Sequence, residues 1–134
     1  MAGIKAIEGI GETYGEKLKA LGIRSKAALL KAGATKKGRA DLAMKSGVSE
    51  KLILEWVNRA DLYRVKGIGT QYADLLENAG VDTVVELAGR KAENLVQKMR
   101  QVNAEKRLVR LLPPISKVQA WIAEAKKLPR AVSY

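Results

Sequence analysis

Apolar residues recur along the chain at helical spacing. Tyr14, Leu18 and Leu21 fall at i, i+4 and i+7, and Gly22 follows as a left-handed helix stop. Ser25 opens "SKAALLKAG", which stops at Gly33, and Thr35 opens "KKGRADLAMKSG", which stops at Gly47. Ser49 then caps "EKLILEWVNRADLY". Farther on, Thr83 with Glu86 makes a capping-box pattern ahead of a short helix. A longer helix is predicted over about 91–101, with Leu95, Met99 and Val102 on its buried side, and another over about 104–111. Pro113-Pro114 breaks the chain before a last helix over 116–127. No segment alternates with period two, so the expected fold class is all-α, with roughly eight helices.

The same pattern occurs twice. "IEGIGETYGEKL", residues 7–18, returns as "VKGIGTQYADLL", residues 65–76. In one register Gly9, Ile10, Gly11, Tyr14, Leu18 and Gly22 match Gly67, Ile68, Gly69, Tyr72, Leu76 and Gly80. Ile7/Val65, Gly15/Ala73, Glu16/Asp74 and Ile23/Val81 are near matches, and the register continues through Ser25/Thr83 and Leu29/Leu87. The chain therefore divides into two repeats, 1–62 and 63–134, of about four helices each, expected to pack as one compact unit. Trp56 and Trp121 sit in the last helix of each repeat among Leu and Ile, and are expected as buried anchors between the units. Tyr14 and Tyr72 are expected in the core.

Composition narrows the chemistry. With 134 residues, 47% hydrophobic and 29% charged, the chain reads as a globular protein. It has neither Cys nor His, which removes disulfides, thiol nucleophiles, imidazole triads and the usual zinc ligand sets. No apolar run approaches the ~20 residues that span a bilayer, and the N-terminus lacks a secretory pattern, so a cytoplasmic location is expected. Lys and Arg exceed Asp and Glu by 25 to 14, a net charge of +11 spread as +5 over 1–63 and +6 over 64–134. Such charge attracts nucleic acid or an anionic membrane, but no helix shows the wide apolar face with aromatic anchors that a membrane surface needs.

The two Gly-Ile-Gly stretches carry the candidate chemistry. Paired glycines permit a tight turn, and the helix that follows presents unpaired N–H groups and the positive end of its dipole, a natural seat for a phosphate oxygen. The middle residue, Ile10 or Ile68, is expected to tuck between helices and lock the turn. The alternative is that the turns are packing corners or meet a protein partner.

These residues resemble the helix-hairpin-helix motif, an apolar-x-Gly-apolar-Gly core followed by a small residue (Gly15, Ala73) and an apolar one (Leu18, Leu76). The continuations "ALGIRSKAALLKAG" and "NAGVDTVVELAGR" resemble the segment that follows the motif in many such domains. The whole chain resembles an uncharacterised, largely bacterial family of tandem helix-hairpin-helix proteins. The resemblance implies a SAM-domain-like, helix-hairpin-helix architecture and sequence-independent DNA binding through the hairpin amides, Gly9 to Glu12 and Gly67 to Gln71. The chain departs from DNA-binding members in having Glu12-Thr13 and Thr70-Gln71, rather than Lys or Arg, after the second glycine. Thr13 and Gln71 also occupy the position of the catalytic lysine of glycosylase relatives, which excludes a Schiff-base lyase.

The two hairpins differ in charge. Glu8, Glu12 and Glu16 surround the first, whereas Arg64 and Lys66 flank the second and no acid occurs between Asp61 and Asp74. The second is therefore the preferred phosphate grip, with Arg64, Lys66, Gly67, Ile68, Gly69, Thr70 and Gln71 as its residues and Gly9, Ile10 and Gly11 as the lesser counterpart. Further positive charge lies in "TKKGR" (Lys36, Lys37, Arg39) and in the run from Arg90 to Arg110, which includes Arg107 and carries a net +5 in 21 residues. The expected function is non-catalytic, sequence-nonspecific binding of nucleic acid, DNA ahead of RNA, with no cofactor, metal, membrane or small-molecule substrate. A protein-interaction or scaffold module of the same fold is the alternative.

Overall fold

In the computed structural model, which describes residues 4, 7 and 10–134, eight α-helices account for the regular structure and no strand occurs among the described residues. The order is α1 (Glu12–Ala20), α2 (Lys26–Ala32), α3 (Lys36–Ser46), α4 (Glu50–Leu62), α5 (Thr70–Asn78), α6 (Val84–Ala88), α7 (Ala92–Lys106) and α8 (Ile115–Lys127). The protein is all-α. The chain divides into two units, one of residues 1–61 with 131–134 and one of residues 62–130. The last four residues, placed with the second repeat by sequence, thus cluster with the first unit.

Local sequence explains where helices begin. Ser25, Thr35 and Thr83 stand in extended backbone and accept N–H bonds from Ala28, Gly38 and Glu86 at 3.0–3.2 Å. Ser49 accepts from the Leu52 amide at 3.2 Å. Each hydroxyl satisfies a donor that the first helical turn leaves without an intrahelical acceptor. The capping box at Thr83 is half made, because the Glu86 carboxylate lies 3.9 Å from the Arg90 guanidinium. Helices α1 and α5 end alike, with Gly22 and Gly80 at φ 84° and 93°. Ile23 N–H then bonds Leu18 C=O at 2.9 Å and Val81 N–H bonds Leu76 C=O at 2.8 Å. This is the Schellman closure, and the left-handed φ explains the glycine at both stops.

In the first unit Leu18, Leu29, Ile53, Trp56 and Val57 are fully buried. The Trp56 ring meets Tyr14 at a centroid distance of 5.0 Å. Val132 is buried, and Ser133 N–H bonds Ala34 C=O at 2.8 Å, so the chain end is hydrogen-bonded into this unit. The Arg39 guanidinium fastens the same corner. It donates to the carbonyls of Gly33 (2.9 Å), Ala34 (3.3 Å) and Ser133 (2.7 Å), with the Tyr134 ring 5.8 Å away. Arg39 is 4% exposed. Arg39, named by sequence among the phosphate contacts, thus gives three hydrogen bonds to backbone oxygens, which offset the burial of its charge.

In the second unit α8 packs on α6 and α7, and α5 packs on α7. The core holds Leu75, Leu76, Val81, Leu87, Leu95, Met99, Val118 and Trp121. Tyr72 lies 5.2 Å from Trp121 with the same 57° tilt as the Tyr14–Trp56 pair. One sequence expectation fails here. The helices expected over 91–101 and 104–111 are a single helix, α7, that runs to Lys106, and 107–114 is not helical. Two causes act together. Pro113 disfavours helical backbone at Leu112. The Asn103 side chain pairs with both backbone groups of Val109, donating at 3.1 Å and accepting at 3.0 Å. Arg107 turns left-handed at φ 50° to let the chain leave the helix.

Candidate nucleic-acid interface

The turn before α5 is built from alternating exposed and buried residues. Lys66, Gly67, Gly69 and Gln71 are exposed, whereas Val65 and Ile68 are buried. Val65 N–H bonds Leu62 C=O at 3.1 Å and Ile68 N–H bonds Val65 C=O at 3.2 Å, which curls the backbone into two successive tight turns. Ile68 fills the core beneath and fixes the turn, as its position between the glycines predicts. Gly67 requires positive φ, +93°, and a Cβ there would stand 3.1 Å from Trp121 Nε1. Gly69 sits at φ −98° with no atom within 4 Å of where its Cβ would stand and is the N-cap of α5, where as a glycine it offers no side-chain acceptor. The positive end of α5 thus receives no cap from its own N-cap residue and borders an open depression of about 390 Å³ lined by Gly67, Gly69, Thr70, Gln71 and Tyr72.

Charges around this depression come from three places. Lys66 is exposed and adjoins the lining residue Gly67 in the chain. Lys117 of α8 places Nζ 5.5 Å from the Tyr72 ring. Arg64 is half-buried, with one guanidinium nitrogen donating to Pro129 C=O at 2.7 Å. One acid also reaches the turn: Glu124 Oε1 accepts from the Lys66 amide at 3.2 Å. Thr70 Oγ1 accepts from the Tyr63 hydroxyl at 3.3 Å. Sequence reasoning found the turn and expected Trp121 to be buried, but it did not connect Lys117, Trp121 or Glu124 with the turn. Their i, i+4, i+7 spacing along α8 was the available signal for a shared face, though nothing local indicated what that face meets.

The first turn shares part of this geometry. Ile10 is buried, its N–H bonds Ile7 C=O at 3.0 Å, and Gly11 caps α1 in extended backbone with no side-chain cap. Gly9, like Glu8, lies outside the described residues. Glu12 and Glu16 are exposed on α1 and keep this turn acidic.

The other basic residues singled out by sequence lie on separate elements. Lys36 and Lys37 are exposed at the start of α3 in the first unit. The run from Arg90 to Arg110 separates into parts: Arg90 and Lys91 precede α7, Lys98 and Arg100 ride on its exposed side, and Arg107 ends it. Lys106 Nζ donates to Asn78 Oδ1 at 2.6 Å. Among the described residues no group of three Asp or Glu is disposed to hold a metal ion, and no helix is long and apolar enough to cross a membrane.

The chain belongs to the family described as a domain of unknown function (DUF4332), whose model matches residues 8–128. No curated protein and no solved structure matches it significantly.

Proposed function

From that membership, which fixes a family but no activity, we propose that the protein is a non-catalytic nucleic-acid-binding module that grips the phosphates of double-stranded DNA without regard to sequence. The proposal reads the Gly67-Ile68-Gly69 turn as a helix-hairpin-helix hairpin. The observation that carries it is the exposed turn itself. Both glycines face outward, Ile68 is locked inward, and the N-terminus of α5, given no cap by Gly69, follows them, with Lys66 adjoining Gly67 in the chain. A phosphate oxygen at this position accepts from backbone N–H groups and gains from the helix dipole. Lys66 and Lys117 add charge without reading a base, so the contact positions the protein rather than specifying a sequence. A net charge of +11 supports the same reading.

A second reading, a protein-interaction module of the same fold, is favoured by one observation. The Glu124 carboxylate occupies the Lys66 amide and brings negative charge to the turn. Fluorescence anisotropy with a random-sequence duplex separates the two. DNA binding predicts affinity at 50 mM salt that falls on the order of 100-fold by 200 mM if about four phosphates are contacted. Gly69→Val is the appropriate variant, since a Cβ there has nothing within 4 Å and Gly69 lines the depression. It is expected to keep the fold and weaken duplex binding at least about tenfold. Salt-indifferent binding, or duplex affinity unchanged in folded Gly69→Val, refutes the hairpin as the site.

A further inference from the structure

A second concave surface lies in the same unit, formed by the loop entering α7 and the C-terminal half of α8. Its volume is about 540 Å³, and Arg90, Lys91, Lys126 and Lys127 contribute four cations to its lining, with no acid among the lining residues. Ala92, Ile122 and Ala123 are its apolar lining residues, Ala123 exposed, Ala92 half-buried and Ile122 presenting only an edge of its side chain. Arg90 is anchored, because its guanidinium donates to Gly80 C=O at 2.9 Å. Glu86, 3.9 Å from that guanidinium, is the nearest acid to it and stays outside the lining.

This groove is distinct from the turn before α5. At about 100° per residue, Lys117, Trp121 and Glu124 project from one flank of α8, while Gln119, Ile122 and Lys126 project from the other, roughly half a turn away. The buried stripe of Val118 and Ala125 separates them. The two surfaces have no lining residue in common.

The lining selects among polyanions. A duplex offers phosphates on a convex surface and nothing to apolar lining residues. A single strand relies on aromatic platforms for its bases, and no aromatic residue lines the groove. An acidic amphipathic helix matches both features, with an apolar stripe for Ile122 and Ala123 and carboxylates for the flanking cations. We infer that the groove between the α7 entrance and α8 docks an acidic amphipathic helix of a partner protein. The proposal stands independently of DNA binding at the turn. If both are correct, the module holds DNA and an acidic partner at the same time.

The test uses a fluorescein-labelled 14-residue peptide with Leu at i, i+3, i+4 and i+7 and Glu at the flanking positions. A second peptide of identical composition has its leucines dispersed around the helix. The 134-residue chain is expected to bind the dispersed peptide at least about fivefold more weakly, since only charge then remains. The double variant Lys126→Glu/Lys127→Glu alters two exposed side chains and is expected to keep the fold while losing at least about tenfold in affinity for the amphipathic peptide. Ala123→Glu, at an exposed lining position, is expected to do the same. Gly69→Val is expected to leave peptide binding unchanged, which separates failure here from failure of DNA binding. Equal affinity for both peptides, or unchanged affinity in folded Lys126→Glu/Lys127→Glu, overturns the inference. So does displacement of the peptide by random-sequence duplex together with a matching loss of duplex binding in that variant.

Discussion

At the scale of single residues, the two glycines of the second turn have different jobs. Gly67 occupies backbone that an L side chain adopts at a cost of about 1–2 kcal/mol, and a Cβ there crowds Trp121. Gly69 occupies ordinary extended backbone in open space. Gly67→Ala is accordingly expected to destabilise by about 1–2 kcal/mol, and Gly69→Ala to stay within about 0.5 kcal/mol of the parent, measured by urea unfolding. Equal losses from the two would contradict the open surroundings of Gly69. Sequence alone placed both glycines at a turn but gave no means of separating them. The distinction arises from the left-handed backbone at Gly67 and from Trp121, which is more than fifty residues away in sequence and reaches Gly67 only through the packing of α8. Arg39 teaches a related lesson. In "TKKGR" it reads as surface charge like Lys36 and Lys37, yet its acceptors are loop carbonyls that include Ser133, which no local pattern reveals.

At the scale of elements, helix starts were legible because a hydroxyl cap acts within three residues of itself, as Ser25, Thr35 and Thr83 all do. The stops at Gly22, Gly47 and Gly80 were legible for the same reason, each being left-handed. The end of α7 was not, since a non-glycine residue, Arg107, takes the left-handed position. The segment that follows keeps an apolar spacing compatible with a helix, and its actual course is dictated by Asn103 and Pro113. Asn103→Ala removes both bonds to Val109, whose side chain is buried, and is expected to destabilise by about 1–3 kcal/mol. Amide hydrogen exchange at Val109 provides the local check, and exchange as slow as in the parent would show that the asparagine does not hold this loop. The basic groove spans two elements in the same way. Arg90 and Lys91 were recognised as part of a charged run, but Lys126 and Lys127 join them only because α8 packs beside the entrance to α7.

At the scale of the whole molecule, the last four residues complete the first unit rather than extending the second. Deleting residues 131–134 removes a buried valine, the Ser133 amide bond and one acceptor of the Arg39 guanidinium. The expected loss is about 2–4 kcal/mol, confined to the first unit. Hydrogen exchange read by mass spectrometry is expected to show faster exchange across 12–61 and none of it across 70–127; a uniform change over both would refute independent stabilisation of the two units. The same connectivity sets an order of events during synthesis. The second unit is an insert within a discontinuous first unit, so its whole sequence is synthesised before the tail that finishes the first. The unit encoded earlier is the one completed later, and until Val132 and Ser133 emerge it waits with the Arg39 guanidinium one acceptor short.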